Sequence, residues 1–371
     1  MWKPFALTAL LSLPLFAQSA PQVLKVTGER HKLVLRSDGS VVGWGNISDG
    51  KLGPMAAIPN YRFWATGPVP IALPGKAIDV ASHEFTSFAL LDDHTVVAWG
   101  RNAAGAANSE TPVRINGLAH VTHIATHGRA LLALLQDGTV RTWGGADGGQ
   151  PAFTPVPVPG VANVTQLSAG GGHVLALTAD GRVLTWGSNY CGALGRPPRQ
   201  ETPMREGGEV PGLSGVVQVA AGNGVSTVLK KDGTVWVWGC NWHGQFGNGE
   251  RTDPPGVNYG WELTPRPVAG VANVTAIAVG LTGRHTLALR KDGTLTGWGN
   301  TDWGQIGAGV SGRFQAKPVI PKIAGVKAVW AAGNNSFAVR ADGSFWIWGI
   351  GERNEWPLQM NAKVPQRLDL P

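Results

Sequence analysis

The stretch that decides the fold is GRHTLALRKDGTLTGWGNTDWGQIGAG, residues 283–309. Within it, an alternating apolar run leads to Asp292-Gly293, and a second short run ends in Trp298-Gly299. Asp-Gly between two such runs is typical of a tight β-hairpin, because the turn needs a positive φ that glycine adopts without strain. The stretch therefore predicts two antiparallel strands joined at Asp292-Gly293.

The part from the turn to Trp-Gly recurs seven times along the chain, with Asp-Gly in six copies and Asp93-His94 in the seventh. The copies are SDGSVVGWG (37–45), DDHTVVAWG (92–100), QDGTVRTWG (136–144), ADGRVLTWG (179–187), KDGTVWVWG (231–239), KDGTLTGWG (291–299) and ADGSFWIWG (341–349). Their marker tryptophans are Trp44, Trp99, Trp143, Trp186, Trp238, Trp298 and Trp348. Successive markers lie 43 to 60 residues apart, the length of one four-stranded propeller blade.

Each copy carries two further predicted strands. An apolar run ending in small residues precedes the hairpin, as in VTQLSAGG at 164–171, and a Pro-led segment such as TPRPVAGV at 264–271 suits an outer edge strand. The sequence thus predicts an all-β, seven-bladed propeller with four antiparallel strands per blade over residues 21–371. The chain after residue 20 begins with an inner-strand run and ends in KVPQRLDLP. We therefore expect the termini to meet and the C-terminal strand to complete the first blade.

The hairpins together with their flanking residues resemble the regulator of chromosome condensation (RCC) repeat family. The best copies are residues 283–309 and KKDGTVWVWGCNWHGQFGNG at 230–249. The family includes a nuclear guanine-nucleotide exchange factor and secreted bacterial propellers that inhibit β-lactamases, so the resemblance implies a binding propeller. The histidine of the best copies stands at His31, His173 and His285, where we expect packing or hydrogen bonding between blades.

Residues 1–20 are predicted to be a signal peptide. Lys3 precedes a short apolar run, and the small residues that follow suit cleavage between Ala17 and Ala20. We expect a secreted or periplasmic monomer without a membrane span, because the apolar run is too short to cross a bilayer. Export favours the secreted members of the family over exchange on a cytosolic GTPase.

The composition fits this class of protein. The 371 residues include 53 Gly, 26 Pro and 16 Trp with 15% charged residues, which favours short strands and tight turns. The net charge of +7 permits an anionic partner, but no Lys/Arg block concentrates it, and no nucleic acid is expected outside the cell.

The two cysteines, Cys191 and Cys240, fall in equivalent loops of neighbouring blades. In an exported protein this arrangement predicts one disulfide between the loops, with two free buried thiols as the alternative.

No catalytic motif appears in the sequence, and the protein is predicted not to be an enzyme and to use no cofactor. His120, His123 and His127 come nearest to a metal pattern, but on a strand His120 and His123 would point to opposite faces, so no metal site is predicted. A catalytic site at the mouth of the central channel is the remaining enzymatic alternative.

The long variable segments after each Trp-Gly should share one face of the disc, opposite the Asp-Gly turns. Aromatic side chains on loops of a rigid scaffold are typical of protein-binding hot spots. The sequence therefore predicts an unidentified protein partner, with an envelope polysaccharide as the alternative ligand. The candidate contact residues are Tyr61, Trp64, Tyr190, Trp242, Tyr259, Trp261 and Trp303, with Phe63 and Phe246 in the same segments.

Overall fold

The computed structural model describes residues 21–105, 107–145, 152–197, 204–252, 262–280, 282, 284–310, 312–351, 357–358 and 361–370. The predicted signal peptide, residues 1–20, lies outside the described residues. Seven four-stranded antiparallel sheets follow one another along the described chain, which confirms the predicted seven-bladed all-β propeller.

Each blade is formed by four strands that are consecutive in the sequence, apart from one small extra hairpin in blade 1. Blade 1 comprises β1 (Val23–Thr27), β2 (His31–Arg36), β3 (Val41–Gly45) and β6 (Val69–Pro70), and the hairpin of β4 (Asn60–Tyr61) and β5 (Trp64–Ala65) lies between β3 and β6. Blade 2 comprises β7 (Ala77–Ser82), β8 (Thr86–Leu91), β9 (Val96–Ala104) and β10 (Ala107–Arg114). Blade 3 comprises β11 (Val121–His127), β12 (Ala130–Leu135), β13 (Val140–Gly144) and β14 (Ala152–Pro157). Blade 4 comprises β15 (Val164–Ala169), β16 (His173–Thr178), β17 (Val183–Gly187) and β18 (Met204–Glu209).

The remaining blades repeat this order. Blade 5 comprises β19 (Val216–Ala221), β20 (Val225–Lys230), β21 (Val235–Gly239) and β22 (Glu262–Pro267). Blade 6 comprises β23 (Val274–Val279), β24 (His285–Arg290), β25 (Leu295–Asn300) and β26 (Phe314–Val319). Blade 7 comprises β27 (Val326–Ala332), β28 (Asn335–Arg340), β29 (Phe345–Gly349) and β30 (Ala362–Arg367). Short 3-10 turns occur at Ser48–Gly50, Met55–Ala57 and Tyr190–Gly192.

The Asp-Gly hairpins have the expected turn chemistry. In blade 5 the Asp232 carboxylate accepts hydrogen bonds from the backbone N–H and hydroxyl of Thr234, at 3.0 and 2.6 Å. The copy that lacks glycine keeps the positive φ, since His94 lies at 63°. Its ring Nδ1 lies 2.9 Å from the Val121 carbonyl, a contact with the next blade that offsets part of the backbone strain.

The expected route of ring closure is wrong in one respect. The C-terminal strand β30 pairs with β29 and completes blade 7, while β6 completes blade 1. Every Pro-led segment pairs with the Trp-Gly strand before it, so each blade is contiguous in the sequence. Blade 1 starts with its inner strand, as every other blade does. Blades 1 and 7 do meet, since Trp44 and Phe337 pack edge to face in one core cluster at 6.0 Å between ring centroids. The ring therefore closes by side-chain packing rather than by a shared sheet.

The marker tryptophans form the core between blades. All seven are buried, with at most 6% of their surface exposed. Several also donate their indole N–H to a backbone carbonyl in the long loop of the preceding blade: Trp99 to Lys51 at 2.8 Å, Trp238 to Ala193 at 2.8 Å, Trp298 to Gln245 at 2.7 Å and Trp348 to Gln305 at 2.7 Å. Each of these markers thus holds the base of its neighbour's loop.

The repeat histidines link adjacent blades, which confirms the structural role expected for them. His173 Nε2 lies 2.8 Å from the hydroxyl of Ser226 in the next blade, and that hydroxyl donates to the Ala193 carbonyl at 2.7 Å. His31 with Ser87 and His285 with Ser336 make the same 2.8 Å contact. Burial lowers the pKa of His173 to about 3, so the ring is neutral and donates through Nε2.

Candidate functional site: the long-loop face

The long-loop face comprises the connections between the third and fourth strands, on the side of the disc opposite the Asp-Gly turns. Its best-described part lies over blades 4 to 6, in residues 188–197, 240–252 and 300–313, with residue 311 undescribed. We call this part the blade 4–6 surface.

Buried amides give the loops of this surface a fixed shape. In blade 5, Asn241 Oδ1 accepts the backbone N–H of Phe246 at 2.9 Å, and Gln245 Oε1 accepts that of His243 at 2.7 Å. The loop of blade 6 repeats the second contact, with Gln305 Oε1 accepting the N–H of Trp303 at 2.9 Å. Because Gln245 and Gln305 are almost fully buried, the hydrogen bonds of their side chains hold each loop from its buried side and keep the loop tip in one conformation.

Cys191 and Cys240 form the predicted disulfide, which ties the loops of blades 4 and 5 together. Their Cα atoms lie 5.0 Å apart, and both side chains are buried. The bond joins two neighbouring blades covalently. It therefore fixes the relative position of the residues on either side of it.

Tyr190 and Trp242 lie on these two cross-linked loops and contact each other. Their rings pack edge to face with 5.5 Å between centroids. Tyr190 is 49% exposed, and Trp242 is half-buried. Two of the predicted contact residues are thus brought together as an aromatic pair with one open side, directly next to the disulfide.

Trp303 adds an exposed ring on blade 6. It is 40% exposed, and Phe314 at the start of β26 is 38% exposed. The guanidinium of Arg251 lies 4.9 Å from the Phe314 ring centroid, a cation–π contact between blades 5 and 6. Phe314 was not among the predicted residues, because it follows the variable loop and reads as part of the outer strand.

The polar groups beside these rings are mainly basic. His243 Nε2 lies 3.3 Å from an Arg284 nitrogen, and Arg313 pairs with Asp302 at 3.5 Å. Burial, and then the Arg284 charge, lower the pKa of His243, so this imidazole is neutral at neutral pH. The surface offers aromatic faces rimmed by guanidinium groups, an arrangement suited to binding another macromolecule.

Of the other predicted contact residues, those that the structure describes lie away from this surface. Trp64 is half-buried on blade 1 and lines a cavity of about 650 Å³ between blades 1 and 7. Tyr61 lies in β4 of the same blade, and its neighbour Phe63 is 62% exposed. Tyr259 and Trp261 lie outside the described residues. Phe246 was a wrong choice, since it is buried in the core between blades 5 and 6, where the loop motif places an apolar residue.

The three histidines of the possible metal pattern are dispersed. His120 precedes β11 in a left-handed conformation, which differs from the expected place within the strand. His123 Nδ1 contacts Asp79 at 2.7 Å, and His127 is buried at the far end of β11. Among the described residues, no three His, Cys, Asp or Glu side chains are grouped so as to hold a metal ion. The described part of the chain also contains no helix with the length and apolar character needed to cross a membrane.

The repeats and the loop motif are similar to those of RCC-type propellers. Two family models of the regulator of chromosome condensation (RCC1) repeat match blades 4 to 6, one at residues 164–193 and 216–245, the other at 180–229 and 232–289. These matches support the RCC1 repeat family for this chain.

Similar proteins span several functions. The mitochondrial RCC1 domain-containing protein RUG3 of Arabidopsis thaliana is 32% identical over 136 residues, which are 36% of this chain and 29% of RUG3. The human E3 ubiquitin-protein ligase HERC2 is 25% identical over 330 residues, 84% of this chain but 5% of HERC2. The ultraviolet-B receptor UVR8 of Arabidopsis thaliana is 26% identical, covering 88% of this chain and 77% of UVR8. The matched region is thus less than a third of the length of RUG3 and of HERC2.

Solved structures share the fold. Prp20p from Saccharomyces cerevisiae, whose structure was described with its binding to Gsp1p and histones, superposes with a TM-score of 0.74 at 24% identity, covering 94% of this chain and 88% of Prp20p. Human WBSCR16 superposes with a TM-score of 0.69 at 23% identity, covering 85% and 86% of the two chains. At these identities the likeness concerns the fold.

Proposed function

We propose that this protein is an exported, non-catalytic binding scaffold that recognises a protein partner through its blade 4–6 surface. The observation that carries the proposal is the Tyr190–Trp242 pair beside the Cys191–Cys240 disulfide, with Trp303 exposed on the next blade. Aromatic side chains held in one position lose little conformational entropy on binding, and such residues dominate the energy of protein interfaces.

Export is part of the proposal and is supported by two features. The first twenty residues have the composition of a signal peptide. A disulfide between two loops suits an oxidising compartment, because thiols in the cytosol are kept reduced. The RCC1-like relatives include a guanine nucleotide exchange factor and an E3 ubiquitin-protein ligase, which supports a role in protein interaction.

The test is an affinity pull-down from envelope and culture-supernatant fractions with Tyr190→Ala, Trp242→Ala and Trp303→Ala. A matched control is Trp346→Ala, a half-buried tryptophan beside the Asp-Gly turn of blade 7, whose indole donates to Ser344 at 2.8 Å. We expect at least one blade 4–6 variant to lose partner affinity by about 30-fold, the effect of a 2 kcal/mol hot spot. Wild-type capture by all three variants would refute the proposal.

Envelope polysaccharide is the competing ligand, because the net charge of +7 and exposed aromatic rings also suit an anionic polymer. Protease treatment of the captured fraction separates the two. Loss of binding after protease treatment supports a protein partner, whereas protease-resistant, salt-sensitive binding supports the polymer.

A further inference from the structure

The third residue of each inner strand distinguishes blades 1 to 3 from the rest. In chain order these residues are Lys25, Asp79, His123, Gln166, Gln218, Ala276 and Ala328. Charged or titratable side chains thus occupy three adjacent blades, amides the next two and alanines the last two.

The glutamines show what this position needs for the fold alone. Gln166 Oε1 accepts the backbone N–H of Val219 in the next blade at 2.9 Å, and Gln218 Oε1 accepts that of Ile277 at 2.8 Å. A neutral amide therefore satisfies the contact between blades. The charged residues of blades 1 to 3 exceed this structural requirement.

Both carboxylate oxygens of Asp79 are occupied by hydrogen bonds and ion pairs with neighbouring residues. One carboxylate oxygen accepts from Lys25 Nζ at 2.5 Å and from the Val80 N–H at 2.8 Å, and the other accepts from His123 at 2.7 Å and from the Ile124 N–H at 3.0 Å. Burial alone would raise the pKa of Asp79, but the Lys25 charge and the His123 hydrogen bond hold it below its ordinary value. The acid is ionised and has no free oxygen to offer a ligand.

Lys25 and His123 line a cavity of about 330 Å³ in the half of the channel nearer the long-loop face, whereas Asp79 lies behind them. Since His123 Nδ1 points to Asp79, Nε2 of the same ring faces away from it. The charged groups that face His123 among the described residues are Lys25 and Asp79, and blade 4 presents only the neutral Gln166. A protonated His123 gives this three-blade cluster a net positive charge.

Two further features of the cavity point to an organic ligand. The Ser82 hydroxyl is buried in its wall and has no hydrogen-bond partner among the described residues, a state that calls for a ligand or an ordered water. The wall formed by blades 6 and 7 carries the half-buried ring of Trp330 with Ala278 and Ala331. One side of the cavity thus offers donors, and the other offers apolar surface.

We propose that this cavity binds a small organic carboxylate. Its carboxylate lies at Lys25 and His123, its apolar part packs against Trp330, and Ser82 takes a second polar group. The volume is at the lower end of the range for small-molecule sites.

The experiment titrates wild-type protein with benzoate by calorimetry, with neutral benzamide and inorganic phosphate as companion probes. We expect saturable benzoate binding, with no binding of benzamide and weaker binding of phosphate. Absence of benzoate binding at millimolar concentrations, or equal binding of benzamide or phosphate, would overturn the proposal.

Variants test the named residues. His123→Gln, which places the amide of blades 4 and 5 in blade 3, should weaken benzoate binding at least fivefold. Lys25→Gln with Asp79→Asn should weaken benzoate at least tenfold, while Lys327→Gln, on an exposed part of an inner strand, should leave it unchanged. Full affinity in the double variant would contradict the assignment. If that variant fails to fold, NMR of the wild-type protein tests the assignment instead. Benzoate, but not benzamide, must then shift the resonances of the His123 ring.

Discussion

Reduction of the Cys191–Cys240 disulfide should destabilise the propeller measurably. The bond closes a loop of about 50 residues, since the cysteines are 49 apart in sequence. For that length the chain-entropy relation gives about 14 cal/mol/K, or about 4 kcal/mol at 25 °C, with about 2–4 kcal/mol the usual outcome. At about 2.1 cal/mol/K per residue over about 350 residues, a loss of 4 kcal/mol lowers the melting temperature by about 5 °C.

The assay is denaturant unfolding of the wild type in its oxidised and reduced forms, with Cys191→Ala/Cys240→Ala as the control for effects of reductant elsewhere. We expect the reduced wild type and the double variant to unfold at similar, lower denaturant concentrations, and the variant to ignore reductant. A loss below about 1 kcal/mol with an unchanged denaturant slope would refute the reasoning. It would mean that packing of blades 4 and 5 alone holds the two loops.

Three further predictions concern the repeat itself. Gly239→Ala should cost several kcal/mol in unfolding free energy, because a Cβ at this φ of 103° would lie 2.3 Å from the Gly224 carbonyl oxygen. The control Gly270→Ala, with a φ of 73° and open space around it, should cost only about 1 kcal/mol. Equal losses in the two variants would contradict the steric argument. Ser226→Ala should cost about 1–3 kcal/mol in denaturant unfolding by leaving buried His173 without its partner, whereas Ser214→Ala on the surface should cost little. Stability should fall as the pH drops below about 6.5, because burial lowers the pKa of His173 to about 3 and of His83 to about 4. The unfolded chain then binds protons that the folded chain does not, which costs up to about 1.4 kcal/mol of unfolding free energy per pH unit for each ring. His173→Asn, which copies Asn335 of blade 7, should flatten this slope between pH 6 and 4, and an unchanged slope would count against the explanation.

Local chemistry explains why so much of the fold was readable from the sequence. The Asp-Gly turn and the Trp-Gly strand end are short-range signals, the first present in six copies and the second in all seven, so blade number and hairpin positions followed directly. The disulfide was also predictable, because Cys191 and Cys240 occupy loops that the repeat places side by side. The misassigned C-terminal strand shows the limit: β30 could pair with either blade 1 or blade 7, and only the choice of repeat frame separates them.

The candidate site was less readable because exposure depends on tertiary packing. Phe246 and Trp242 lie in the same loop, yet the first fills the core and the second pairs with Tyr190 on the surface. The channel cluster of Lys25, Asp79 and His123 joins three blades and has no local motif. Comparison of the third inner-strand position across the repeats is the one signal that could have revealed it.

Site-specific photo-crosslinking tests the central claim most directly. A photoreactive phenylalanine analogue replaces Trp303 on the blade 4–6 surface or, as the control, Trp346 beside the Asp-Gly turn of blade 7, in protein exposed to envelope and supernatant fractions. The account predicts a discrete protein adduct from position 303, lost with Trp242→Ala, and none from position 346. Equal adducts from both positions, or an adduct from 346 alone, would contradict it.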